Sequence, residues 1–159
     1  MRIPRAAAVV VDHGRVLVIK RYLRCESRCV MCEATGCVGA DCPGHHYAVL
    51  PGGHVEAGET ADAAALRELT EETTLRATVD RLLWTGEHAG RPASYFLMAE
   101  VVGTPVLSGA EAEEHCARNS FELIWAGPDQ FDDLNLFPAS VRQPLTQLLD
   151  TRADRYPTG

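Results

Sequence analysis

The chain has 159 residues, a formal net charge of −7, 46% hydrophobic and 23% charged residues. That is an ordinary balance for one globular domain with enough core to fold alone. No apolar run approaches the roughly 20 residues that cross a bilayer. The apolar start is stopped by Asp12, His13 and Gly14, too soon for a signal peptide, so a cytoplasmic protein with no membrane partner is expected. An acidic chain lacks the basic stripe that a phosphate backbone needs, and nucleic acid is not expected as a partner. Phosphates can still bind where a metal supplies positive charge.

Residues 5–11 and 15–20 are apolar, β-branched runs joined by Asp12-His13-Gly14, a hairpin signal. Residues 21–46, rich in Cys, Gly and short polar side chains, read as an insertion with little regular structure. Residues 47–50 predict a short strand before the turn Pro51-Gly52-Gly53. Residues 60–73 predict a helix, with Thr60 as N-cap, Asp62 in the first turn and an apolar side of Ala64, Ala65, Leu66 and Leu69. Strands are predicted at 78–85, 94–102 and 121–125, and a short helix at 128–134. Residues 138–152 predict a closing amphipathic helix, with Val141, Leu145, Leu148 and Leu149 on one side and Pro144 as a kink. Strands around an early helix and a closing helix argue for a mixed sheet in an α/β (α+β) fold. No repeat or second domain is seen, so residues 1–159 are read as one domain carrying the insertion.

Glu68, Glu71 and Glu72 stand at i, i+3 and i+4 of the early helix, so all three project from one face. Like charges at this spacing repel by about a few tenths of a kcal/mol per pair. Alone, such a cluster is more often a solvated helix face. A bound cation reverses the sign, and Mg²⁺ is hard, takes oxygen ligands and keeps several waters. Gly52 and Gly53 allow close backbone approach. Glu59 and Arg67 are spaced to pair and to brace the loop against the helix, and Arg67 beside Glu68 would then fix a ligand in place.

The segment 53–75 resembles the Nudix box, G-x5-E-x7-R-E-U-x-E-E-x-G-U, with U a bulky aliphatic residue. Here it reads Gly53-x5-Glu59-x7-Arg67-Glu68-Leu69-x-Glu71-Glu72-x-Thr74-Leu75. Every fixed position matches except Thr74, which stands where the family has glycine. Leu50-Pro51-Gly52-Gly53 and the strand order extend the resemblance to most of the chain outside the insertion. The resemblance implies a Nudix-type α/β/α sandwich. It implies hydrolysis of a nucleoside diphosphate linked to another moiety, such as an NTP or a nucleotide sugar. It implies Mg²⁺ or Mn²⁺ on Glu68, Glu71 and Glu72, with the Gly53 carbonyl as a further ligand, and Arg67 and Glu59 orienting loop and helix. The metal would act as Lewis acid, water activator and charge clamp while water attacks phosphorus in line. The family's glycine ends the helix at positive φ. A β-branched residue there costs roughly 1 kcal/mol or more, so the helix is expected to end differently by a turn.

In this family the base comes from the helix, where Glu71 is available, or from a later acidic loop. Residues 108–115 carry Glu111, Glu113 and Glu114, with Glu113 taken as the candidate and a solvated acidic loop as the plainer reading. Trp84, Tyr95 and Phe96 could stack a base, with core packing as the default.

Five of the six cysteines lie between Cys25 and Cys42. Cys29-x2-Cys32-x4-Cys37-x4-Cys42 has zinc-like gaps and resembles a zinc knuckle with cysteine in the histidine place. Cys25, His45 and His46 are alternative ligands. The segment has few large apolar residues, so a structural Zn²⁺ would supply its order. Reduced thiols in a loop, or disulfides, are the other readings. His45 and His46 could instead face the substrate cleft beside Tyr47. No aromatic lies between Cys25 and Cys42 to stack bases, which favours a stiffening role near the mouth of the site. The competing class of function is a non-catalytic Nudix-fold nucleotide sensor or zinc-loop interaction module. The complete trio Glu68, Glu71 and Glu72 argues against it. The expected partner is a small-molecule nucleoside diphosphate derivative, with a homodimer left open.

Overall fold

The computed structural model describes residues 2–155. In chain order its strands are β1 Arg5–Val9, β2 Val11–Asp12, β3 Arg15–Leu23, β4 His45–Val49, β5 Gly52–His54, β6 Arg76–His88, β7 Arg91–Val102 and β8 Asn119–Ala126. Its helices are α1 Val30–Thr35, α2 Ala61–Thr73, α3 Gly109–Glu114 and α4 Arg142–Arg155. One sheet has the order β5-β1-β7-β6, mixed because β1 and β7 run parallel. The other is antiparallel, with β2 and β4 on one edge of β3 and β8 along its other edge.

Strand alternation turns β1 into the centre of a sandwich. Ala6 and Ala8 pack with Ala64, Ala65 and Leu69 of α2, while Ala7 and Val9 join the cluster holding Leu145 and Leu149 of α4. The result is an α+β architecture with a mixed sheet. Because both faces of β1 are apolar, it needs cover on both sides and cannot serve as a surface hairpin arm. The expected hairpin of 5–11 with 15–20 is accordingly confined to its tip, Val11 opposite Val16 and Asp12 opposite Arg15. β1 leaves for the other sheet, where Arg5, Ala6 and Ala7 lie opposite His54, Gly53 and Gly52. The Gly52-Gly53 turn signal therefore belongs to a strand. Gly52 lies so close to β1 that a side chain there would strike the Ala6 carbonyl.

The insertion is more ordered than its composition suggests. β3 runs on to Leu23, β4 starts at His45, and α1 lies between them. Cys29, Met31, Cys32 and Cys42 are buried against Ile19, Tyr47, Val49 and Phe121. Cysteine and methionine pack as apolar residues, so this segment does own a small core.

In α2 the Thr60 hydroxyl accepts from the Ala63 N–H at 3.4 Å. The helix ends where the family pattern ends it and is not displaced by a turn. Thr74 takes the left-handed conformation itself, φ 64° and ψ −4°, and donates its N–H to the Thr70 carbonyl. Threonine side chains hold this end: Thr70 Oγ1 donates to the Leu75 carbonyl at 2.9 Å and Thr73 Oγ1 accepts from the Leu75 N–H at 3.2 Å. Buried Leu75 is thereby locked into the core under α2.

The predicted helix at 128–134 shrinks to a 3-10 turn over Pro128–Gln130. The closing helix is led by another such turn, Ala139–Val141, and Pro144 falls in the first turn of α4. An N–H there has no intrahelical partner to lose, which removes the cause of a kink. Tyr95 and Phe96 are core residues, and Trp84 stacks on Tyr95 with ring centroids 5.1 Å apart. Among the described residues no helix is long and apolar enough to cross a membrane.

Candidate active site

A cleft of about 320 Å³ opens where β5 and α2 meet the second sheet. Glu68, Glu72, Glu56 and Glu111 line its acidic side, and Arg5, Arg21 and Phe121 are among the other residues that line it. Four carboxylates against two guanidiniums leave an excess of negative charge in a confined space.

Glu72 is only 4% exposed and accepts a hydrogen bond from the Gly52 N–H at 3.1 Å. Burial, then the charges of Glu111 and Glu68, push its carboxyl well above the usual range. Arg5 opposes this from beneath, with Nη2 donating to the Gly52 carbonyl at 3.0 Å. Glu68 lies against Gly53 so closely that any side chain at position 53 would collide with its carboxylate. Burial raises the Glu68 carboxyl as well, despite Arg67. A cation would repay the desolvation of both groups at once.

Arg67 braces this arrangement. Its Nε and Nη2 bond the two oxygens of Glu59 at 2.8 and 3.0 Å, a bidentate pair. Its Nη1 reaches Glu68 at 3.0 Å and Glu71 at 3.2 Å, and its Nη2 also donates to the His54 carbonyl at 3.0 Å. Hydrogen bonds from Arg67 hold the Glu59 carboxyl below its ordinary range. One guanidinium thus ties the loop after β5 to the helix that carries the trio. Of the trio, Glu68 and Glu72 line the cleft, whereas Glu71 is exposed beside Arg67. The donor set fits a hard divalent ion: several carboxylate oxygens, partly dehydrated, with backbone close by and room for water.

The acidic residues at 108–115 form α3, held to α2 by Ser108, whose N–H donates to the Glu72 carbonyl at 2.9 Å and whose hydroxyl donates to the Glu71 carbonyl. This docking turns Glu111 into the cleft and leaves Glu113 and Glu114 exposed. Two residues along a helix are about 200° apart around its axis, so Glu111 and Glu113 cannot both face inward. The acid that meets the site is Glu111, in place of Glu113.

Sequence reasoning also passed over Arg5, Arg21 and Phe121. Arg21 on β3 is in register with Tyr47 on β4 and Phe121 on β8, so the three share a face. Its guanidinium carbon sits 4.1 Å from the Phe121 ring centroid and 5.5 Å from that of Tyr47. Nη2 donates to Asn119 Oδ1 at 2.6 Å, while the buried Nε has no hydrogen-bond partner among the described residues. Only the pairing of three strands reveals this group.

Neither His45 nor His46 lines the cleft. His46 packs on Tyr22, ring centroids 4.6 Å apart, and His45 Nε2 lies 3.3 Å from Cys32 Sγ. Cys29 Sγ lies 3.7 Å from the sulfurs of both Cys32 and Cys42. The structure therefore gathers Cys29, Cys32, Cys42 and His45, with His45 in the place expected of Cys37. Gly36 ends α1 in the left-handed conformation. Cys37 then donates its N–H to the Cys32 carbonyl and turns its sulfur to Thr35 Oγ1 at 3.2 Å. Cys25 packs beside the cluster without joining it.

Residues 1–147 match the NUDIX domain family. Over 70 residues the chain is 37% identical to an ADP-ribose pyrophosphatase of Methanocaldococcus jannaschii, covering 41% of this chain and 41% of that protein's length. The solution structure of the ORF135 protein of E. coli is similar with a TM-score of 0.59 and 23% identity, over 99% of this chain and 94% of that one. A NUDIX hydrolase from Nitrosomonas europaea gives a TM-score of 0.63 at 18% identity, over 98% of this chain and 74% of that one. At these identities the two structural likenesses are likenesses of fold.

Proposed function

The chain belongs to the NUDIX family, and from that membership and its carboxylate cleft we propose that it hydrolyses the pyrophosphate bond of a nucleoside diphosphate linked to a second group. The observation that carries this reading is that Glu68 and Glu72 meet the Gly52-Gly53 backbone in the one cleft that Glu111 also lines. ADP-ribose is the first substrate to try, given the relative named above.

Mg²⁺ or Mn²⁺ would be held by Glu68 and Glu72, with Glu71 and the Gly53 carbonyl as further ligands. When bound, it supplies charge neutralisation on the diphosphate and a lowered pKa for water. The chain's own residues do the rest. Arg67, locked on Glu59, keeps Glu68 at fixed height above Gly53. Glu111, across from Glu72, takes the proton of the attacking water. Arg5 offsets the charge of Glu72 from below. Arg21, over the Phe121 ring, offers a cation and a ring on the far wall, to which a phosphate or a base can bind.

The test is turnover of a panel of ADP-ribose, nucleoside triphosphates and nucleotide sugars with saturating Mg²⁺, products resolved by anion exchange. Release of a nucleoside monophosphate from at least one of them, abolished by excess EDTA, is expected. Tight nucleotide binding with no turnover across the panel would replace this reading with the nucleotide sensor.

A further inference from the structure

We propose that Cys29, Cys32, Cys42 and His45 form a structural zinc site that clamps the segment between β3 and β4 onto the wall of the cleft. Zinc–sulfur bonds of about 2.3 Å and zinc–nitrogen bonds of about 2.0–2.1 Å make a tetrahedron with edges of about 3.8 Å between sulfurs and about 3.6 Å between sulfur and nitrogen. The observed edges are 3.7 Å for Cys29–Cys32, 3.7 Å for Cys29–Cys42 and 3.3 Å for Cys32–His45. All four donor atoms lie within 4.8 Å of one another. Three of the six edges thus match a zinc tetrahedron to within about 0.3 Å.

Local structure explains why these four meet. Cys29 is the N-cap of α1 and Cys32 lies in its first turn, so the helix presents both sulfurs at one end. Arg28 Nη1 bonds the Cys37 and Gly39 carbonyls at 2.7 and 2.9 Å. It folds the following loop back so that Cys42 returns to the pair. His45 opens β4, paired opposite Leu23 of β3, so the fourth donor is mounted on the sheet. Two donors on a helix, one on a loop and one on a strand are cross-linked through a single point.

A disulfide does not account for the cluster. Cys29 is equally far, 3.7 Å, from Cys32 and Cys42, against about 2.05 Å for a bond, and no one pair is singled out. Thiolate and imidazole donors in a tetrahedron select zinc over hard cations. Protein fills all four positions, which is the mark of a structural and not a catalytic ion. The site also has a mechanical target. Ile19, Val49 and Phe121 pack against Cys29, Cys32 and Cys42 on one side and line the cleft on the other. Zinc therefore stiffens the wall that carries Arg21 and Phe121, at a distance from the carboxylates.

The test is metal analysis of full-length protein purified without added metal, and it does not depend on hydrolytic activity. About one zinc per chain is expected. It should be retained in Cys37→Ser and lost in Cys32→Ser and Cys42→Ser. Wild-type protein stripped with a chelator and refilled with Co²⁺ gives a readout independent of whether those last two variants fold. It should show the intense visible bands of tetrahedral, thiolate-bound cobalt. Stripping should also speed amide exchange across residues 24–45 and shift KM more than kcat once Mg²⁺ is restored. Wild-type protein without zinc, its thiols titrating freely, would overturn the proposal. So would two thiols that appear only after reduction, or zinc that survives Cys32→Ser and is lost in Cys37→Ser.

Discussion

Thr74→Gly should stabilise this protein. Thr74 sits at φ 64° and ψ −4° at the C-terminal end of α2, a conformation that costs a residue with a Cβ roughly 1–2 kcal/mol. Glycine removes that cost but returns about 0.5–1 kcal/mol through its greater freedom in the unfolded chain. The threonine hydroxyl holds little in exchange: it donates to the Thr104 carbonyl at 3.5 Å, and the residue is exposed. The midpoints of these ranges leave a gain of about 0.75 kcal/mol, or a rise in Tm of about 1.5–3 °C for a chain of this size. Paired thermal and urea melts in chelator, so that metal binding does not contribute, would measure it. Glu68 and Glu72 lie upstream and are held by Gly53, Gly52 and Arg67, so kcat should stay within twofold. A Tm that is unchanged or lower would mean that the threonine contacts at this helix end outweigh the backbone strain.

Two further substitutions probe the cleft. Glu111→Gln should lower kcat about 100-fold, the scale of a lost general base, while Glu113→Gln should stay within threefold. The opposite order, read from steady-state rates, would return the base to Glu113. Arg21→Ala should raise KM about tenfold with a smaller change in kcat, as for a binding contact worth about 1.4 kcal/mol. An unchanged KM would take the Arg21–Phe121 wall out of substrate recognition.

What the sequence made legible was local. Glu68, Glu71 and Glu72 share a helix, and Glu59 and Arg67 are eight residues apart, so spacing alone predicts who meets whom. The strands and the two principal helices follow from periodicity for the same reason. Features that rest on long-range register were not legible. Arg21 and Asn119 are 98 residues apart, and nothing in either segment announces the other. Whether Glu111 or Glu113 faces inward is decided by how Ser108 docks α3 on α2. The choice of His45 over Cys37 is decided by a left-handed Gly36 and by the pairing of β4 with β3. β1 read as a hairpin arm because its partners, β5 and β7, lie far along the chain. Thr74 misled in a different way: an intrinsic preference against the left-handed region was overridden by the burial of Leu75 and by the Thr70 and Thr73 hydroxyls that hold its backbone.

The central claim is that half-buried Glu68 and buried Glu72 hold a divalent ion for pyrophosphate cleavage. The most direct measurement is an Mn²⁺ titration followed by EPR on wild type and Glu72→Gln, with kcat taken on the same samples. Glutamine can still accept the Gly52 N–H, so the fold should persist by circular dichroism. Mn²⁺ affinity should weaken at least tenfold and kcat fall at least 100-fold, the scale expected when a group that stabilises developing charge is removed. A folded Glu72→Gln protein that binds Mn²⁺ as wild type does and turns over within threefold of it would contradict the account.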